Sequence, residues 1–303
     1  METQHHIKKY MAYHEEYTKK YGENTVVLMQ AGSHFNLFAI INDEVNLGPD
    51  IYHICTNVLN NALQVTKQNK KKPEISYSNC LMAGFPVYSI QKYENIFLNS
   101  NYTVVIVEQI TSPPNPERGV TRILSPGTTI EDYNNQETRF LMSVYIEKNT
   151  YMNKDVYICG VSTIDLSTGK NYLHYILSKQ EDSGHWIDEI GRYIHFYNPS
   201  EILFHFEGFI LNKDEIIQNW DIQHNSIQIN HYTEKEYLKT TYQNDFLNKI
   251  FNLNIMISPI EHFDLEMKPE LVISYVFMLQ YIHDHLLNTL TNIEIPEYVS
   301  DNN

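Results

Sequence analysis

Three short runs of β-branched and aromatic residues dominate the first third of the chain. They are TVVLMQ (25–30), HFNLFAII (34–41) and YTVVIVEQI (102–110), and their length and composition are typical of buried strands. Ala31-Gly32-Ser33 between the first two permits a tight turn. Helical spacing precedes them at 10–21 and recurs at 89–100. This alternation of helices and strands predicts a mixed α/β domain.

The second half of the chain repeats the alternation. Residues 156–177 read as two strands joined by a turn at 167–169, and a helix over 186–196 precedes the strand SEILFHF. We therefore expect a second α/β unit. In the first half of the chain, a further helix is predicted over 49–63, between two of the strands.

The final apolar segment, 269–290, begins with proline and is apolar around almost its whole circumference. Such a helix needs packing partners on every side. We expect the chain to lack these partners and to be the N-terminal part of a longer protein.

A polar, turn-rich segment from Ser125 to Thr138 separates two apolar patterns. Such segments are typical of domain boundaries. The predicted organisation is a mixed α/β domain with a mixed sheet at 1–130, an α/β domain at 139–260, and the start of an all-α segment at 261–303.

Charge is unevenly distributed along the chain. The whole sequence has 22 Lys+Arg and 37 Asp+Glu, a net charge of −15. Residues 1–145 have 12 basic and 14 acidic residues (net −2), whereas residues 146–303 have 10 and 23 (net −13). The first part can therefore face a phosphate backbone, whereas the second part would repel one.

Several classes of protein are disfavoured by what the sequence lacks. No apolar run approaches the roughly 20 residues that a membrane span needs, and the N-terminus does not resemble a secretory signal. Three widely spaced cysteines cannot form a disulfide framework, and no zinc motif occurs. We expect an intracellular protein with no membrane partner and no metal site; nucleus, cytoplasm, organelle and viral factory stay open.

Four segments in one order carry a resemblance to a known family. NTVVLMQAGSHFNLFAI, LMAGFP, YTVVIVEQI and RGVTRILSPGT resemble the N-terminal mismatch-recognition domain of MutS-type DNA mismatch-repair proteins. VSTIDLSTGK and PSEILFHF look like the ribonuclease H-like connector domain of that family, and the helix after Pro269 looks like the start of its lever. Asn, Ile, Lys and Tyr are abundant whereas Ala, Gly and Arg are scarce, as an AT-rich coding sequence would give, and this suits a viral or organellar branch of the family.

The resemblance implies a role for the segment GSHFNLF. Family members insert a phenylalanine into the minor groove and hydrogen-bond the mispaired base through a glutamate. Gapless alignment places His34 at the phenylalanine and Asn36 at the glutamate, so both signature residues are replaced. His34 can still stack and Asn36 can still hydrogen-bond a base edge. A register shift would make Phe35 the wedge instead, and simple packing of all three residues is the remaining alternative.

Basic residues complete the predicted DNA-binding set. Arg122 matches an arginine that family members direct toward DNA, with a surface ion pair as the alternative. Lys92 begins the helix after LMAGFP, where phosphate contacts are convenient. Lys70, Lys71 and Lys72 form a charged run, which is either a phosphate contact or a solvated loop.

The resemblance also implies the partners and cofactors. The expected function is binding of duplex DNA with a mismatch, loop or lesion, without catalysis by this fragment. ATP and Mg²⁺ are expected in a C-terminal ATPase domain of a homodimeric parent, because no phosphate-binding loop motif occurs here. The resemblance also implies a repair partner on the connector.

Two alternatives stay open. Asp165, with Glu189 and Glu207, could form the carboxylate set of a metal-dependent, ribonuclease H-like nuclease, although a structural role in the turn is favoured for Asp165. Alternatively, the acidic second half docks a partner and the first half reads no mismatch.

The lysine run generates a test. Replacing Lys70, Lys71 and Lys72 together by glutamine should reduce the slope of log K against log salt concentration by about 0.9 for each phosphate group that these lysines neutralise. DNA affinity measured by fluorescence anisotropy across a salt series gives this slope. An unchanged slope would assign the lysines to a solvated loop.

Overall fold

A computed structural model describes residues 2–111, 116–129, 140–152, 154–178, 184–222, 226–232, 235–253, 255–286 and 293–299. The chain divides into two units, Met1–Pro126 and Gly127–Asn303. Each unit is built around one mixed sheet, which confirms the predicted α/β class. Most of the predicted boundary segment, from residue 130 to 138, lies outside the described residues.

The first unit contains a mixed sheet with the strand order β4-β5-β2-β1-β6-β7, and β3 pairs with β2. Strands β1 and β6 are parallel, whereas the other pairs are antiparallel. The elements in chain order are α1 (Glu2–Tyr21), β1 (Thr25–Ala31), β2 (His34–Ile41), β3 (Asn46–Leu47), α2 (Ile51–His53), β4 (Thr66–Lys67), β5 (Leu81–Pro86), α3 (Ile90–Asn99), β6 (Thr103–Gln109) and β7 (Arg118–Leu124).

Alternating side chains of this sheet supply two apolar faces. One face includes Leu28 and Phe35 and packs with residues of α2 and α3, among them Phe97 of α3. The other face is contacted by α1, whose Tyr10 hydroxyl donates to the Val27 carbonyl at 3.1 Å and whose ring meets Phe38 edge to face. Successive strand residues point to opposite faces, so the sheet needs a helix on each side.

The helix predicted over 49–63 is wrong in extent. Only Ile51–His53 is α-helical, and a π-helical turn continues it over Ile54–Val58. Asn60 and Asn61 then adopt positive φ values of 47° and 60°. Asparagine tolerates this left-handed conformation, which ends a helix.

The second unit contains a sheet with the order β12-β11-β8-β9-β10-β13. Strands β8, β9 and β10 form an antiparallel meander, and β11 and β12 extend it in parallel on the other side of β8. This agrees with the expected α/β organisation of the second unit. The elements are β8 (Phe140–Tyr151), β9 (Lys154–Asp165), β10 (Asn171–Leu177), α4 (His185–Tyr197), β11 (Glu201–Glu207), α5 (Lys213–Trp220), β12 (Ser226–Ile229), α6 (Thr240–Phe251), α7 (Pro259–His262), α8 (Pro269–His285) and β13 (Glu297–Tyr298).

Helices cover both faces of the second sheet. On one face, Trp186 and Ile190 of α4 and Trp220 of α5 pack with Val144 and other strand residues. On the opposite face lies α8, whose Ser274 hydroxyl donates to the Ser143 carbonyl at 2.9 Å. Because β8, β9 and α6 contact α8, the expectation that this helix lacks partners within the chain is wrong. Its identity as the start of a lever stays a prediction.

Gly160 on β9 lies against the backbone at the start of α8. A Cβ atom at this position would lie 2.5 Å from the Glu270 carbonyl oxygen and 2.5 Å from the Leu271 Cα. Both are backbone atoms, so no side-chain rotation can relieve the clash. The absence of a side chain at Gly160 therefore lets α8 seat on the sheet.

Gly160→Ala should destabilise the protein by about 1–3 kcal/mol, the usual cost of overpacking a closely packed site. Urea unfolding followed by circular dichroism measures this change. Gly119→Ala is the control, because the added Cβ would meet only the Ile110 side-chain tip, and Ile110 is 63% exposed and can move. Equal stability losses in the two variants would contradict the close approach.

Candidate nucleic-acid interface

His34 is the first residue of β2 and is exposed at one end of the first sheet. Gly32, in the turn before it, has a φ of +60°, a conformation that glycine adopts without strain. The Ser33 hydroxyl lies 3.1 Å from His34 Nδ1. The tight turn therefore leaves the imidazole ring in solvent, where it can contact a ligand.

Phe35 points to the other face of the sheet and is 1% exposed. Its ring lies 6.2 Å from that of Phe85 in the core beneath α3. Exposing this phenyl ring to a DNA groove would open the core of the unit. The alternative in which Phe35 is the wedge is therefore wrong for this register.

Asn36 returns to the same face as His34 but is only 5% exposed. Its amide nitrogen donates to the His34 carbonyl at 3.4 Å. A Cβ atom on Gly84 of β5 would lie 2.2 Å from Asn36 Oδ1, so glycine leaves room for the amide. This placement corrects the expectation that Asn36 presents its side chain to a base edge.

The register of the strands gathers further groups at the same end of the sheet. His34 is opposite both Ala31 and Pro86, and Gln109 is opposite Arg118. We call this surface the turn edge; it comprises Gly32, Ser33, His34, Pro86, Val87, Tyr88, Gln109, Ile110 and Arg118. It combines an exposed imidazole, an exposed phenol and a guanidinium.

Tyr88 is the turn-edge residue that sequence reasoning missed. It is 89% exposed, and the backbone N–H of the preceding Val87 donates to the Ser33 carbonyl at 2.9 Å. An exposed aromatic ring in the segment that is hydrogen-bonded to Ser33 provides a second surface on which a base can stack. The only sequence signal was a tyrosine two residues after Pro86.

Arg118 is anchored to the sheet by its own side chain and backbone. Its Nε donates to the Gln30 carbonyl at 2.8 Å, and its carbonyl accepts from Lys9 Nζ at 2.7 Å. Partial burial lowers the pKa of the guanidinium from its ordinary value, but arginine stays charged at neutral pH. The structure therefore adds a fixed positive charge that was not among the predicted contacts.

Lys92 lies in the first turn of α3 and is exposed. Its ammonium nitrogen is 5.7 Å from the centre of the Tyr93 ring. Helix α3 starts shortly after the turn-edge residues 86–88, so this cation and the helix N-terminus can act together on a phosphate.

Lys70, Lys71 and Lys72 are exposed in the loop between β4 and β5. Buried Asn79 orders this loop by accepting from the Asn69 backbone N–H at 2.7 Å and donating to the Lys72 carbonyl at 3.2 Å. Lys67 is opposite Leu81, at the other end of β5 from Pro86. At about 3.4 Å per residue, the loop begins roughly 17 Å from His34 along the strand. The structure does not bring these lysines to the turn edge.

Arg122 on β7 forms an ion pair with Glu94 of α3. Arg122 Nη2 lies 2.9 Å from Glu94 Oε1, and the side chains are 43% and 7% exposed respectively. The observed contact is the ion pair that was considered as the alternative to DNA binding. Contact of its exposed part with DNA stays a prediction.

The carboxylates considered for a nuclease do not converge. Asp165 accepts from the Ser167 backbone N–H at 2.9 Å through Oδ1 and from the Thr168 hydroxyl at 2.7 Å through Oδ2, as a turn acid does. It is opposite Phe140 on β8, whereas Glu207 is opposite Glu147, about 23 Å further along the strand. Glu189 pairs with Arg192 instead.

Two other kinds of site are absent from the part of the chain that the structure describes. No cluster of three or more His, Cys, Asp or Glu side chains there could hold a metal ion. No described helix is both long and apolar enough to span a bilayer.

The Arg122–Glu94 pair generates a prediction. Arg122→Gln should lower the free energy of unfolding by about 1–2 kcal/mol, less than the roughly 3–5 kcal/mol of a fully buried pair because Arg122 is partly exposed. The loss arises because the Glu94 carboxylate stays buried without this partner. The double variant Glu94→Gln/Arg122→Gln should recover part of the loss, as urea unfolding in a double-mutant cycle would show. Additive losses would mean that the pair is not coupled.

Comparison with known proteins follows the same division of the chain. Residues 8–133 match the family profile of MutS domain I. A DNA mismatch repair protein mutS homolog of Acanthamoeba polyphaga mimivirus is 29% identical over an alignment covering 95% of this chain and 27% of the relative. The DNA mismatch repair protein MutS of Caldanaerobacter subterraneus subsp. tengcongensis is 28% identical, over 73% of this chain and 23% of its own.

The chain thus spans about a quarter of the length of these curated relatives. Among solved structures, Thermus thermophilus RuvC in complex with a Holliday junction substrate covers 48% of this chain at 11% identity with a TM-score of 0.28, too low to infer a shared fold. The family profile and the two alignments, one of them viral, agree with the motif resemblance. Residues 8–133 therefore match MutS domain I, and the chain is similar to DNA mismatch repair proteins of the MutS type along most of its length.

Proposed function

We propose that the first unit binds mismatched or distorted duplex DNA through the turn edge, without itself catalysing a reaction. The observation that carries this proposal is that His34 and Tyr88 are both exposed at the turn edge of a domain that matches MutS domain I. Arg118 at the same edge and Lys92 in the first turn of α3 supply positive charge. Stacking surfaces with adjacent cations suit a nucleic acid whose bases are accessible.

The chemistry of His34 sets the kind of DNA that this surface prefers. An imidazole has less stacking area than a phenyl ring, so it repays less of the few kcal/mol needed to unstack a base step. Asn36 is turned into the protein and offers no carboxylate to a base. The turn edge therefore favours DNA that is already unstacked or easily deformed, such as bulges, loops and lesions, over single mispairs.

Electrostatics limit the affinity of this chain. Residues 1–145 have a net charge of −2, so attraction to phosphates depends on local groups rather than on the overall field. Lys70, Lys71 and Lys72 are proposed to contact the backbone away from the turn edge, and Arg122 to contact it from β7. Such contacts position the duplex but do not read its sequence.

The remaining assignments follow the relatives, which are named as DNA mismatch repair proteins. We propose that residues 139–260 correspond to a connector and 261–303 to the start of a lever. A homodimer in which ATP and Mg²⁺ bind elsewhere in the parent protein is part of the same proposal. In that protein, DNA binding would be coupled to clamp movement.

Competition between three duplexes tests the DNA proposal. Fluorescence anisotropy with a bulged, a G·T and a matched duplex should give affinities in that order. His34→Ala should weaken binding to the bulged duplex about tenfold, since stacking on an aromatic ring is worth roughly 1–3 kcal/mol per base. His34→Phe should increase the preference for G·T over matched DNA.

His53→Ala is the matched control, because His53 is another exposed histidine of the first unit on α2, away from the turn edge. This variant should bind all three duplexes like the unmodified chain. A hundredfold preference of the unmodified chain for G·T over matched DNA would contradict the account of His34. Equal effects of His34→Ala and His53→Ala would contradict the turn edge as the site.

A further inference from the structure

The second unit contains a cavity of about 170 Å³ between α8 and the end of β11. Six residues that line it matter here: Tyr145, His205, Glu207, Tyr232, Leu238 and Phe277. Glu207 and Leu238 are exposed and form its mouth. At about 30 Å³ of liquid volume per water, the space corresponds to between five and six water molecules, enough for a small planar group and its aliphatic stem.

The strand register explains why the cavity has this lining. His205 is opposite Tyr145 in the parallel β11–β8 pair, so the two side chains are neighbours on the α8 face. Glu207 is two residues further along β11 and emerges on the same face. Because α8 seats against Gly160 on β9, Phe277 of α8 forms the wall opposite the strands.

His205 is the buried polar group of this lining whose hydrogen-bonding capacity is unsatisfied. It is 3% exposed, and neither ring nitrogen has a hydrogen-bond partner among the described residues. Its ring centre lies 4.5 Å from that of Phe277 and 6.2 Å from that of Tyr232. Burial is the main cause that lowers the pKa of His205 to about 3, and the nearby His231 lowers it further. The ring is therefore neutral at pH 7, with one nitrogen able to accept a hydrogen bond.

The electrostatic character of the cavity is negative. The Glu207 carboxylate makes no hydrogen bond or ion pair with another described residue, and Glu147 is opposite it on β8. Burial raises the pKa of the Tyr145 hydroxyl, and Glu147, Glu207 and Glu270 raise it further. Residues 146–303 have a net charge of −13. An anion would be repelled from this site, whereas a cation would be attracted.

We propose that this cavity binds an arginine side chain presented by a basic segment of a partner protein. A guanidinium group is planar, so it stacks on aromatic rings, and its five N–H donors match acceptors that lie around it in different directions. Here the rings are those of Tyr145, Tyr232 and Phe277, and the acceptors are the Glu207 carboxylate and the neutral His205 nitrogen. This proposal concerns the second unit alone and does not depend on DNA binding by the first.

Short blocked peptides test the proposal on the whole chain. Acetyl-Gly-Arg-Gly-amide, titrated into isotopically labelled protein, should shift the ring resonances of His205 and Phe277 saturably. The same peptide with citrulline, which is nearly isosteric but uncharged, should bind at least tenfold more weakly. Glu207→Gln should weaken arginine binding about three- to tenfold, because a charge-assisted hydrogen bond is removed at an exposed position.

Asp214→Asn is the matched control, because it removes one exposed carboxylate of the second unit from α5, which packs on the opposite face of the sheet. Equal binding of the arginine and citrulline peptides, or equal effects of Glu207→Gln and Asp214→Asn, would overturn the proposal. Tenfold tighter binding of free L-arginine than of the peptide would overturn the assignment to a protein partner. His205→Phe should also weaken binding; if this variant does not fold, the exposed Glu207 decides the result.

Discussion

The pairing of β2 between β1 and β5 is the constraint on which the candidate DNA-binding surface depends. With Ala31 opposite His34 and Phe35 opposite Phe85, each residue at the start of β2 has a defined side of the sheet. Phe35 completes the core beneath α3, and His34 and Asn36 take the other face. A shift by one residue would bury His34 and expose Phe35, at the cost of the packing that stabilises the unit.

The same pairing explains why His34 and Asn36 differ in exposure although they share a face. His34 stands at the end of the strand beside the Gly32 turn, whereas Asn36 lies further in, over Gly84. Position along the strand, rather than face alone, decides which side chain a duplex can reach. Tyr88 follows the end of β5, which is the neighbour of β2. Arg118 begins β7, which lies beyond β1 and β6 and starts at the same edge.

The two units combine a similar mixed-sheet construction with different surface chemistry. The first has nearly balanced charge and an edge of exposed rings with nearby cations, which suits a polyanion. The second has a large negative charge and an aromatic cavity with an exposed carboxylate at its mouth, which suits a cation. In the first unit, the pairing of β2 positions the exposed residues. In the second unit, the packing of α8 against Gly160 positions Phe277 opposite His205.

Strands and long helices were predictable because their apolar period is a local property. The strand predicted over 102–110 corresponds to β6 (Thr103–Gln109), and the helix predicted over 89–100 corresponds to α3 (Ile90–Asn99). The predicted extent of the helix over 49–63 was wrong because the apolar spacing continues past Asn60 and Asn61, whose backbone leaves the helical conformation. The apolar circumference of α8 was read correctly as a need for partners, but the sheet that supplies them lies more than a hundred residues earlier in sequence.

By itself, the sequence determined the mixed α/β class, the uneven charge and the replacement of both signature residues in GSHFNLF, because composition, period and motif need no three-dimensional contacts. Only the tertiary structure decided that Phe35 is buried, that Arg122 is paired with Glu94, and that Lys70, Lys71 and Lys72 lie far from His34. It alone revealed Tyr88 at the turn edge and the buried His205 beside Glu207. The physical reason is that burial, pairing and proximity arise from strand register and helix seating, which join residues distant in the chain.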